Sequence, residues 1–218
     1  MDYEFTLNGL MPLLMHADDV MASDDLMAWR KSPKNKSVSV PGDDRSPAWT
    51  WQTYLYSDGE HVAMPQENIL AALRYAGAKI ISKGQTTFKA MTQSGLLVGS
   101  DFCEFLVDGR QVAMSEIGAF RDAVFSEHVT ESRNLGFDLS VKRAKVGTAK
   151  HVRVRPMFKS WAVHGTIQVN EPAITFDVLS QLFEIAGRLA GLGDWRPSAK
   201  TSPGPYGMFT ADLKPIRS

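Results

Sequence analysis

One cysteine, Cys103, stands among 218 residues, which excludes an intramolecular disulfide and any cysteine-based zinc site. No run of about 18 apolar residues occurs, so no segment reads as a membrane span. The opening Met-Asp-Tyr-Glu-Phe lacks the basic start and apolar stretch of a signal peptide, and the expected compartment is the reducing cytoplasm. Net charge is also missing. The 24 Lys and Arg balance 24 Asp and Glu, which argues against a bulk polycation that coats nucleic acid. The histidines (His16, His61, His128, His151 and His164) contain no HxH or HExxH spacing, so no metal is expected. No GxSxG is present and no Gly-Lys-Ser/Thr follows a glycine-rich stretch. Hydrolase-elbow and P-loop readings therefore fail, and no cofactor is expected.

What remains is ordinary globular material, 44% hydrophobic with 11 Phe, 5 Tyr and 5 Trp, and long enough to bury a core as one domain over 1–218. The balanced charge hides an asymmetry. Residues 1–60 hold ten acids against five bases, whereas residues 142–159 hold seven bases (Lys142, Arg143, Lys145, Lys150, Arg153, Arg155, Lys159) and no acid. Such a dipole suits an anionic partner, or head-to-tail self-association of an acidic face with a basic one.

Residues 3–15 read as a strand broken at Pro12, and 16–30 as a short helix or loop. Residues 31–48, with three Pro and four Ser, read as a flexible insertion carrying Lys34, Lys36 and Arg45. Trp49–Leu55 favours a strand. Pro65 then opens a helix over Gln66–Ile81, whose apolar positions Ile69, Leu70, Leu73, Ala76 and Ile80 recur at helical spacing. Residues 82–94 read as a loop, 116–136 stay ambiguous, and Leu96–Val98, Phe102–Val107 and Gln111–Met114 read as strands, with Asp108-Gly109 as a hairpin turn. Lys150–Arg155 and Trp161–Val169 alternate as strands separated by Pro156. A second strong helix spans Thr175–Leu192, and a last strand spans Gly207–Leu213. The expected class is α+β: an antiparallel sheet with two main helices in a ferredoxin-like core, plus the long excursion.

Two segments carry candidate chemistry. Residues 187–209 run from a helix through Gly191 and Gly193 into a loop that ends at Tyr206-Gly207. Glycines there admit positive φ and close backbone approach, and exposed amides suit phosphate. Arg188, Arg196 and Lys200 supply charge, and Trp195 and Tyr206 supply stacking surface. The bland alternative is a helix cap at Gly191 or Gly193 with Trp195 over the core. The second segment is the basic strand, where His151, Arg153 and Arg155 share one face with Lys150 and Lys159 nearby. A guanidinium row suits phosphate oxygens, while a charged edge strand guards against aggregation. Asp18-Asp19 and Asp24-Asp25 read as solvated acids, and Cys103 as core.

The glycine-rich loop between the last helix and last strand resembles that of the RAMP superfamily, the RNA-binding subunits of CRISPR effector complexes. The segment Val62–Arg74 is similar to that family's strand-Pro-helix element at Pro65, Asn68, Ile69, Leu73 and Arg74, with Gln66 and Glu67 in place of its usual small residues. Leu14-Met-His-Ala followed by the polar excursion suits its backbone subunits. The stretches VRVRPMFKSWAV and GLGDWRP…YGMF resemble small phage and prophage proteins of unassigned role. The resemblance implies a ferredoxin-like fold and guide-strand contacts, including one from Arg74, and makes Asp18 an outside candidate for strand cleavage.

The resulting expectation is a non-enzymatic binder of single-stranded RNA or DNA through its backbone, assembling along the strand. An endoribonuclease using His16 or His151 as base, and an assembly protein that takes no nucleic acid, are the rivals.

Overall fold

The computed structural model describes residues 1–146 and 149–216. In chain order the strands are β1 (Asp2–Gly9) and β2 (Leu13–Leu14), then helix α1 (Val20–Lys31), a 3₁₀ helix (Ala48–Tyr54), β3 (Ala63–Pro65) and α2 (Gln66–Gly77). β4 (Ile81–Lys83), β5 (Thr86–Thr87), α3 (Lys89–Gly95), β6 (Leu96–Val98), β7 (Phe102–Val107), α4 (Met114–Gly118) and α5 (Phe125–Asn134) follow. The chain closes with β8 (Asp138–Val146), β9 (Ala149–Phe158), β10 (Trp161–Val169), α6 (Phe176–Ile185), a π turn (Ala186–Ala190) and β11 (Phe209–Pro215). The protein is thus α+β. Its main sheet runs β11-β1-β10-β7-β3 with β6 beside β10, and a second sheet runs β2-β9-β8. Every strand pair in both is antiparallel.

Strict alternation builds the main sheet. Tyr3, Phe5 and Leu7 of β1 are buried, as are Cys103, Phe105 and Val107 of β7 and Trp161, Val163 and Ile167 of β10. Period two puts each set on one face. Phe5 meets Phe183 of α6 at 5.6 Å, and Phe105 meets Phe158 of β9 at 5.0 Å, so this face joins the helices and the second sheet in one core. The opposite face carries Glu4, Asn8, Glu104, His164 and Asp212, tied by Asn8–Asp212 at 2.9 Å and His164–Glu104 at 3.1 Å. That open face is polar and largely acidic.

Helix α2 follows Pro65 and buries Ile69, Leu73 and Ala76. In α6 the Thr175 hydroxyl caps the start by accepting from Val178 N, and Leu179, Leu182 and Phe183 face inward. These are the two helices of the periodic segments. They are not alone: α1 is capped by the Asp19 carboxylate, α5 settles the ambiguous stretch, and α3 overlaps the end of the expected 82–94 loop.

Three other expectations are corrected. Trp49–Leu55 is not a strand but the 3₁₀ helix, because Trp49 and Trp51 bury together and Thr50 and Thr53 hydroxyls close their own turn onto Pro47 and Thr50 carbonyls. Gln111–Met114 forms no strand. The chain turns at Asp108 (φ 49°) and Gly109 (φ 84°), makes isolated bridges at Val107–Arg110 and His61–Ala113, and enters α4 at Met114. Pro156 does not separate strands but sits inside β9 opposite Leu139, where β2 reaches only Leu13 and Leu14.

The excursion returns to the body at one place. Val152 N donates to Gly42 O at 2.9 Å, and Asp44 N donates to Val152 O at 3.0 Å, a parallel bridge onto β9.

Candidate nucleic-acid interface

The β8–β9 hairpin and the glycine-rich loop face each other across a cleft of about 550 Å³. Lys142, Arg143, Arg153, Arg155, Arg196 and Lys200 line it, and Asp194 is the one acid among the described lining residues. The ladder register sets Lys142 directly opposite Arg153. Like charges so placed are unfavourable in a sheet unless something neutralises them. Gly147 and Thr148, inside the basic run, lie outside the described residues.

Part of that neutralisation is internal. Asp44, buried to 1% exposure, receives Arg153 Nη1 at 3.1 Å, Arg155 Nη1 at 3.3 Å and Val154 N at 3.1 Å. Arg155 Nε reaches Asp194 at 3.4 Å, and its guanidinium stacks 4.3 Å from the centre of the Tyr54 ring. Arg155 therefore fastens the excursion and the 3₁₀ helix to the glycine loop. Arg153 is the more open of the pair and keeps one side toward the cleft. The expected free row of His151, Arg153 and Arg155 is corrected accordingly: Gly42 lies against the His151 ring, and both arginines are held by Asp44.

His16 stands beside this node, 3.7 Å from Asp194 and edge-on to Tyr54. Burial, then the Arg155 charge, pushes its pKa below the ordinary 6.5. Burial likewise raises Tyr54. Burial and the Arg155 charge both favour the neutral imidazole at His16.

The loop supplies the aromatic wall. Trp195 and Tyr206 stack with ring centres 5.6 Å apart, and Lys142 Nζ lies 4.3 Å from the Trp195 ring centre and 3.1 Å from Tyr206 Oη. Trp195 is exposed and holds φ at 53°, a left-handed conformation that a bulky side chain adopts only under restraint. The restraint is visible. Asp194 Oδ1 accepts Trp195 N at 2.8 Å, and Gly204 lies so close beneath the indole that a Cβ there would meet Trp195 Cδ1 at 2.6 Å.

The glycines serve the chain itself. Gly193 (φ 72°) passes against the Leu14 carbonyl, and Gly207 (φ 69°) against the Leu192 carbonyl. Leu192 N donates to Gly207 O and Asp194 N to Leu14 O, which stitches the loop to β2. Their expected role as a phosphate cradle is thus corrected to close backbone packing. Gly191 (φ 69°) ends the π turn.

Of the residues singled out from sequence, Arg153, Arg155, Trp195, Arg196 and Lys200 converge on the cleft, with Tyr206 behind Trp195. Lys150 is exposed on β9 toward the hairpin tip. Lys159 lies at the other end of β9 on Asp138, and Arg188 pairs with Glu184 at 3.6 Å. Arg74, Lys34 and Lys36 are exposed outside the cleft lining. Lys142 and Asp44 are the residues that sequence reasoning passed over. The positive run contained Lys142, but only the hairpin register aims it at Trp195.

Among the described residues no group of three or more His, Cys, Asp or Glu is placed to hold a metal ion. No described helix is long and apolar enough to cross a membrane. No family model and no curated protein matches the chain.

Proposed function

We propose that the chain binds single-stranded nucleic acid, RNA or DNA, through its backbone in the β8–β9 cleft. The observation that carries this reading is the convergence of six cations and an exposed, restrained tryptophan on one groove of a protein with no net charge. Phosphates take Lys142, Lys200 and the open side of Arg153, and a base stacks against Trp195. The Lys142–Arg153 opposition, costly in the free protein, is relieved by a bound anion.

A ferredoxin-like core belongs to the same reading. Among the strands of that unit, β11-β1-β10-β7 follows the order fourth, first, third, second, and α2 and α6 occupy its two crossovers. Kinship with the RAMP superfamily remains the resemblance stated above. Head-to-tail self-association is proposed on charge, with the acidic segment 1–60 of one copy meeting the basic segment 142–159 of the next.

The test is fluorescence anisotropy of a labelled single strand over a salt series, with the 260/280 nm absorbance ratio of nuclease-free protein. Binding whose logarithm falls linearly with log salt is expected. No binding at low salt refutes it. One observation favours a second reading, an endoribonuclease: His16, whose neutral form burial favours, lies 3.7 Å from Asp194 of the cleft lining and could take a proton from a ribose hydroxyl. Degradation of the labelled RNA, lost in His16→Ala, would select that reading.

A further inference from the structure

Behind the glycine loop lies a second, smaller cleft of about 170 Å³ between the loop and α2. Its walls are Asn68 and Tyr75 of α2, Gly191 and Gly193, and Arg196 and Ser198. Arg196 also lines the basic cleft, so its side chain forms the partition between the two. That partition is rigid. Arg196 Nη1 donates to Gly193 O at 2.7 Å and Nε donates to Ser198 Oγ at 3.2 Å, while Ser198 Oγ is anchored on Ala190 O at 2.9 Å.

The lining has a specific chemistry. Tyr75 and the fixed guanidinium plane are flat surfaces on which a ring can stack. The glycines leave the wall bare of side chains. Asn68 presents an amide beside the Tyr56 hydroxyl, and its Nδ2 donates to Met64 Sδ at 3.5 Å, a weak acceptor that a base can replace. Ligand sites usually span several hundred Å³, so this one has room for a single flat heterocycle and not for a whole nucleotide. The groove across Arg196 is the one that carries the backbone in the reading above.

We propose that one base of the bound strand turns past Arg196 into this pocket and is read by Asn68, with adenine the preferred base. An asparagine amide pairs in two hydrogen bonds with the adjacent donor and acceptor of adenine, and Tyr75 supplies the stacking surface. Sequence preference then arises here, while the basic cleft stays indifferent to sequence. This inference rests on the strand-binding reading.

The experiment compares short homopolymers of A, C and U, together with an abasic strand of equal length, on the wild-type chain and on Asn68→Ala. The A strand is expected to bind about tenfold more tightly than the C and U strands, as one bidentate base contact provides, and the abasic strand, which also loses stacking on Trp195, most weakly. Asn68→Ala should bring the A strand down to the level of the C and U strands and leave those unchanged. Equal binding of the A, C and U strands, a preference for C or U, or an adenine preference that survives Asn68→Ala overturns the pocket assignment while leaving strand binding in place. Failure of every strand to bind at low salt removes the strand-binding reading itself. The wild-type comparison needs no variant, so a folding defect in Asn68→Ala does not blunt it.

Discussion

Arg155 Nη1 lies 3.3 Å from Asp44 Oδ2 while Nε of the same guanidinium lies 3.4 Å from Asp194 Oδ2. One side chain of the basic strand thereby joins an excursion residue to the glycine loop. Removing a partner from a buried pair leaves the other charge uncompensated. Asp44→Ala should therefore lower stability by about 3–5 kcal/mol, read as a shifted denaturation midpoint at constant slope. A loss below about 1 kcal/mol would show that Asp44 is dispensable to the core. Charge reversal at Arg155 should unfold the protein and so is no clean probe of binding.

Lys200 is the cleaner probe. It is exposed on the cleft, so Lys200→Glu should shift stability by no more than about 0.5 kcal/mol. Its lost phosphate contact should weaken strand binding across all sequences and flatten the log–log salt dependence by about one. Unchanged slope and affinity would take Lys200 out of the interface.

Trp195 separates affinity from backbone strain. Trp195→Ala should cost about 1–3 kcal/mol of strand affinity through lost stacking. Trp195→Gly should lose the same affinity and yet melt higher than Trp195→Ala. At φ 53° glycine relieves a left-handed conformation worth about 1 kcal/mol. Equal melting of the two variants would mean that the loop relaxes this angle at no cost.

Gly193→Ala is expected to destabilise by more than about 1 kcal/mol, because a Cβ there would strike the Leu14 carbonyl in addition to straining φ. Affinity per folded molecule for C and U strands, which do not use the pocket that Gly193 walls, should be unchanged. Reduced affinity in a variant that melts like wild type would return Gly193 to the ligand.

Acid should weaken the fold through two histidines. Burial holds both His16 and His128 below the ordinary 6.5, and His128 Nδ1 already accepts Trp51 Nε1 at 3.1 Å. A native pKa below the unfolded one means that the unfolded chain binds protons first. Stability is then full above about 6.5 and falls as pH drops through that value toward the lower native pKa values. His128→Gln should reduce this acid dependence. A stability curve flat between neutral pH and about 5.5 would contradict the assignment.

Strands with one buried face were legible because alternation is a local signal: Trp161–Val169 carries it over nine residues and matches β10 end to end. The two helices with apolar stripes were legible for the same reason. Trp49–Leu55 was not, since its aromatics favour a strand locally and only packing of Trp51 against His128, Phe120 and Phe137 selects the 3₁₀ turn. In the candidate interface, residue types were visible but their pairing was not. Asp44 meets Val154 across 110 residues of chain, and a run of acid-free sequence says nothing about an acid supplied from so far away. The glycines were read for the freedom they give, without knowledge that another strand of the same chain, β2, occupies the space.

The bridge at Gly42–Asp44 has a consequence for how this molecule coexists with its own copies. β9 is paired by β8 from Ala149 to Met157 but on its other side by β2 only at Met157 and Phe158. The amide and carbonyl of Val152 would otherwise face outward as a template on which a foreign strand can grow. The excursion fills that position with two hydrogen bonds of its own, acting as a cover strip for a sticky edge. Shortening it between Val40 and Ser46 would do more than shrink a loop. It would leave an open edge that recruits strands, and the protein should precipitate as its concentration rises.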